Sequence, residues 1–83
     1  MNHWANAGTI LGLICDRLQN CTLSLHPTDH HNIAIAAETG TRDNRWTYRR
    51  EYTLDQLELA DPYVHADHFV RYFQQHCKHK VTK

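Results

Sequence analysis

Between Cys21 and Tyr52 the side chains change character at every second position over three short stretches, and turn-forming residues separate the stretches. That period belongs to strands with one buried face. Cys21-Thr22-Leu23-Ser24-Leu25-His26 is the first stretch, and Pro27-Thr28-Asp29 turns the chain after it. Ile33, Ile35 and Ala37 alternate in the same way within residues 32–38, and Gly40-Thr41-Arg42-Asp43-Asn44 reads as the second turn. In the third stretch, residues 45–52, Trp46, Tyr48 and Tyr52 occupy even positions and Arg45, Thr47, Arg49 and Glu51 odd ones. Connections this short join antiparallel neighbours, so a three-stranded meander with a charged outer face is expected. If the third strand lies at an edge, its charges discourage unwanted pairing.

The period changes on both sides of this sheet. From Trp4 to Leu18 the apolar residues Trp4, Ala7, Leu11, Ile14 and Leu18 recur at spacings of three and four, with Ile10 beside them, which predicts an amphipathic helix. Gly8 and Gly12 each cost that helix about 1 kcal/mol relative to Ala. They serve a close approach of another backbone, self-association included, or simply leave a weaker helix. Thr53 with Gln56 forms a capping box, and Tyr52 with Leu57 occupies the two positions of a hydrophobic staple, so a short helix is predicted over residues 54–60. Asp61-Pro62 repeats the start signal for a longer helix over 62–78. The expected fold is a single α+β domain over 1–83: an N-terminal helix, a three-stranded antiparallel sheet, then a short helix and a C-terminal helix packed on one sheet face.

Eighty-three residues allow one core and little room for a deep cleft. Nine basic residues balance nine acidic ones, whereas nucleic-acid binders ordinarily carry a basic surplus. Eight histidines make the charge sensitive to mild acid. The longest apolar stretch, Ile10 to Cys15, is far below the roughly 20 residues of a membrane span, and Met-Asn-His-Trp does not begin a secretory signal. Three cysteines, Cys15, Cys21 and Cys77, form no CxxC pair. A cytoplasmic protein without membrane contact is expected, its thiols used as small apolar side chains.

On the last helix Ala66, Phe69, Val70, Phe73 and Cys77 share an arc that faces the sheet, with Asp67, Arg71, Gln74 and Lys78 opposite. His65, His68, Tyr72, His76 and His79 share a second arc beside the core. This flank is the first candidate for a partner-binding face, because His and Tyr offer flat amphipathic surfaces. Two imidazoles at helical spacing are also part of a metal site, but the sequence has neither HExxH nor a paired Cys-His pattern. Asp29-His30-His31 matches a tripeptide of metal-dependent phosphoesterases, yet the further acidic ligands of those enzymes are missing, and turn chemistry is the expected role. His76 and Cys77 point about 100° apart as helical neighbours, a poor nucleophile and base. Glycine-rich phosphate loops and GxSxG are absent from the sequence. A protein without catalytic residues, cofactor or metal is expected.

Arg45, Arg49 and Arg50 interleave with Trp46, Tyr48 and Tyr52, a mixture able to stack on bases and meet phosphates, so a small nucleic-acid-binding domain is the main alternative. A histidine-based metal-binding protein is the other. The order helix, three strands, helix is shared with double-stranded-RNA-binding domains, but those carry a lysine-rich start to the last helix where this chain has Asp61-Pro62-Tyr63-Val64-His65-Ala66-Asp67. In size, in a composition without catalytic signatures and in the Tyr48-Arg49-Arg50-Glu51-Tyr52-Thr53-Leu54 joint, the chain resembles the small accessory proteins of phages and mobile elements, among them anti-CRISPR proteins. That resemblance implies a non-enzymatic inhibitor, monomer or homodimer, that occupies the surface of a host protein complex. Arg45 and Arg49 join His65, His68, Tyr72 and His76 as the candidate partner-binding residues.

Overall fold

The computed structural model describes residues 3–41, 43–59 and 61–77. Its elements are α1 (His3–Arg17), β1 (Cys21–Pro27), β2 (Ile33–Thr41), β3 (Asn44–Tyr52), α2 (Leu54–Leu59) and α3 (Pro62–His76). The strands pair antiparallel in the order β1-β2-β3, giving the α+β meander that the alternation predicts. Leu23, Ala37 and Tyr48 stand side by side across the sheet, as do Pro27, Ile33 and Tyr52, so the apolar sets share one face. On that face α1 lies over β1 and β2, and α3 packs beside α1 with its rings on β3.

Local chemistry sets the joints. Gln56 N–H donates to Thr53 Oγ1 at 3.1 Å and Thr53 N–H to Gln56 Oε1 at 2.9 Å, which completes the capping box, while Tyr52 and Leu57 are both buried as a staple requires. Asp61 Oδ1 accepts from the Tyr63 N–H at 2.9 Å and starts α3 with Pro62 in its first turn. The strands reach further into the second turn than expected, and position 42 of that turn lies outside the described residues. Strand pairing continues to Thr41 opposite Asn44, and Gly40 accommodates the bend at φ 102°, a conformation costly for other residues. Helix α3 ends at His76 with Cys77 as its cap; position 78 lies outside the described residues.

Ala7, Ile10, Ile14 and Leu18 meet Ile33, Ile35, Ala37, Tyr52, Leu57, Ala66, Phe69, Val70 and Phe73 in one core. Trp4 departs from the helix pattern and is 46 % exposed. It sits in the first turn of α1 and lines a concavity of about 290 Å³ together with Pro27, Ile33 and Leu54. Asp67 ties the two long helices, accepting from Arg17 at 2.9 Å and from Arg71 at 2.8 Å. The Arg17 hydrogen bond, with both guanidinium charges, holds its carboxyl below the usual range.

Among the described residues Gly8 and Gly12 approach no neighbouring backbone: a Cβ on either meets nothing within 4 Å. Within the single chain their effect is a weaker helix. Gly8→Ala and Gly12→Ala should each raise the stability by about 0.5–1 kcal/mol, read as a shifted urea midpoint at unchanged slope; a lowered midpoint would contradict the open space above them.

Tyr52 is fully buried, and its hydroxyl finds no hydrogen-bond partner among the described residues. Burial pushes the phenol up to about 12. An unfolded tyrosine ionises near 10, so from pH ~10 upward the unfolded chain releases a proton that the folded chain keeps, and stability falls by about 1.4 kcal/mol per pH unit until the folded phenol ionises as well. Tyr52→Phe keeps the ring and removes the unpaired hydroxyl. It should raise stability at neutral pH by about 1 kcal/mol and flatten the alkaline slope in pH-dependent unfolding, whereas a loss of stability would show that the hydroxyl has a partner.

Candidate interaction surface

Helix α3 buries Ala66, Phe69, Val70 and Phe73 at spacings of three and four, which fixes its rotation about its own axis. The His/Tyr flank then falls at the border between helix and sheet, and the structure divides it. His65 is only 8 % exposed: its ring meets Tyr52 edge-on with centroids 5.1 Å apart, and Nε2 lies 3.0 Å from the Gln56 carbonyl. A carbonyl only accepts, so Nε2 carries the proton in that bond. His65 therefore fastens α3 to α2 and does not belong to an exposed face, which corrects the flank expected from spacing. The cause is the short α2, whose Gln56 carbonyl holds the His65 ring in the first turn of α3.

His68, Tyr72 and His76 remain exposed; His79 lies outside the described residues. Tyr72, 44 % exposed, is held between two rings, stacked on Tyr48 at 4.5 Å and 22° and against His76 at 4.2 Å and 34°. Tyr48 rests on Phe69 at 4.8 Å and is followed by Trp46 at 6.3 Å, which stands edge-on to Phe73 at 4.9 Å. A half-exposed run His76–Tyr72–Tyr48–Trp46 thus follows the rim where α3 overlies β3, seated on buried phenylalanines. Trp46 and Tyr48 were not among the expected partner-binding residues. Their even positions mark them as inward-facing, but a strand at the sheet edge leaves its inward side chains incompletely covered.

Arg45 and Arg49 lie on the opposite face of the sheet. Arg45 Nε donates to Glu38 Oε1 at 2.7 Å. Arg49 Nε donates to His26 Nε2 at 3.4 Å, and its Nη2 is 3.7 Å from Glu51 Oε1. The arginines and rings that interleave in sequence are therefore separated in space, and Arg50 alone shares the aromatic side, its guanidinium 5.4 Å from the Tyr52 ring centre. On the outer face Glu51 Oε2 accepts from Asn32 at 2.7 Å and Thr28 at 3.2 Å and lies 3.4 Å from His30 Nδ1. The Asn32 bond is the main cause that holds the Glu51 carboxyl below its usual range.

Asp29-His30-His31 forms the β1–β2 turn. Thr28 Oγ1 accepts from the His30 and Asn32 amides, Thr28 O accepts from His31, and His31 takes a left-handed φ of 61°. Among the described residues no three His, Cys, Asp or Glu side chains come together so as to hold a metal ion, and no helix is long and apolar enough to cross a membrane. All three cysteines are free thiols, and burial pushes the Cys21 thiol up, away from the thiolate that a nucleophile needs. Compared with models of protein families, with curated proteins and with solved structures, the chain gives no match.

Proposed function

We propose that the chain is a non-enzymatic binding module that recognises a protein partner through Tyr72, His76 and His68 of α3 together with Tyr48 and Trp46 of β3. One observation carries this reading: Tyr72 is nearly half exposed yet clamped between Tyr48 and His76. A side chain already ordered before binding loses little rotamer entropy on contact, and a tyrosine presents a broad apolar face with a polar tip. Rings in that state are the usual anchors of protein interfaces. A partner of the kind blocked by anti-CRISPR proteins, a host complex whose surface is occupied and thereby closed to its target, suits a domain this small. The three free thiols suit the reducing cytoplasm in which such a partner works.

The test is capture of purified candidate host complexes on immobilised full chain, with bound nucleic acid measured in parallel. Tyr72→Ala should weaken capture by about 30-fold, the loss of one anchor of ~2 kcal/mol, with the circular dichroism spectrum unchanged, while Arg49→Ala, on the opposite face, leaves capture intact. Capture indifferent to Tyr72→Ala would contradict the reading. So would retained nucleic acid that is lost with added salt and with Arg49→Ala.

A further inference from the structure

Strand β3 is one edge of the sheet, nine residues long and free of proline, whereas the other edge, β1, is shorter and ends at Pro27. Among the described residues no further strand pairs with this edge, so its outward N–H and C=O groups form a template for another strand. Arg45, Arg49 and Arg50 place three like charges on it. Most pairings of this strand with itself are therefore repulsive, and Glu51 decides which one is not.

The geometry points to a two-fold dimer in which β3 pairs antiparallel with β3 of a second copy, Tyr48 opposite Tyr48. A two-fold axis perpendicular to the sheet keeps inner face with inner face, so odd positions oppose odd and even oppose even. Centred on Tyr48, every residue from Asn44 to Tyr52 has a counterpart. At both ends Arg45 meets Glu51 on the outer face and Trp46 meets Arg50 on the inner face, while Thr47 meets Arg49 and the two Tyr48 rings adjoin at the axis. The neighbouring registers fail. Centred on Thr47, Arg45 opposes Arg49; centred on Arg49 or Arg50, that arginine opposes itself; centred on Trp46, only residues 44–48 are paired.

Two features of the single chain fit this register. Among the described residues Arg17, Arg45, Arg49 and Arg71 each have a carboxylate within 4 Å and Arg50 has none. Its charge sits at the edge beside the Tyr52 ring, and the indole of the second copy's Trp46 gives it a further aromatic face. Glu51 spends Oε2 on Asn32, Thr28 and His30, while its Oε1 has Arg49 at 3.7 Å, a distance that leaves the oxygen open to Arg45 of the second copy. Pairing joins two three-stranded sheets into one and sets both Tyr72 flanks on the same side of it. It does not rest on the partner reading, and its test uses the protein alone.

Sedimentation velocity of the full chain from low micromolar to millimolar concentration should show a monomer–dimer equilibrium that weakens as added salt screens the ion pairs. Arg45→Glu and Glu51→Arg should each weaken the dimer about tenfold or more, because each sets like charges opposite one another at both ends. An equimolar mixture of the two variants should recover the dimer, since the mixed pair restores opposite charges at both ends. Circular dichroism checks each fold. If Glu51→Arg does not fold, Glu51→Gln replaces it and should weaken the dimer severalfold. A wild-type chain that stays monomeric throughout, a dimer indifferent to Arg45→Glu, or folded variants whose mixture shows no recovery would overturn the proposal.

Discussion

The seating of Phe69 and Phe73 on Tyr48 and Trp46 is the contact on which the rest of this molecule depends. Three strands cannot hold together in water unless one face is covered, and α1 meets the sheet mainly at β1 and β2. Without α3 the aromatic side of β3 would stand in solvent. Phe69 and Phe73 are fully buried there and among the largest side chains of the core, each such ring removing on the order of 150–250 Å² from water. Because rings pack in preferred orientations, the seam also fixes how α3 is rotated. That rotation in turn decides which of its histidines face the core and which face outward.

One strand consequently carries two surfaces of different chemistry. The outer side of β3 is ionic, with Arg45 on Glu38 and Arg49 between His26 and Glu51, so its formal charges are largely balanced where they stand. The inner side is aromatic and continues onto α3 through Tyr72 and His76. Of the three strand arginines only Arg50 stands on that inner side, 5.4 Å from the Tyr52 ring centre. Under the proposed function, a protein surface with an apolar centre and polar rim finds its counterpart along the aromatic rim.

Most of the architecture was legible in the sequence because it rests on local chemistry. Period-two alternation marks the three strands, and Thr53–Gln56 and Asp61–Pro62 mark the helix starts through side chains that bond the backbone within a few residues. The candidate surface was legible only in part. Helical spacing groups His65 with His68, Tyr72 and His76, but whether a flank residue is covered depends on contacts such as that of His65 with the Gln56 carbonyl of α2, which no periodicity encodes. Trp4 looks like a core residue for the same reason, since nothing local reports that the core ends before it. Trp46 and Tyr48 read as buried because alternation tells inside from outside within a strand and says nothing about which strand lies at the edge.

The measurement that bears most directly on the aromatic seam is a two-dimensional nuclear Overhauser spectrum of the protein in solution. Close cross-peaks linking the rings of Tyr48 to Tyr72 and Phe69, Tyr72 to His76, and Trp46 to Phe73 are predicted. Their absence, with Tyr72 showing the averaged signals of a freely rotating surface side chain, would contradict the seam and with it the ordered surface that it presents.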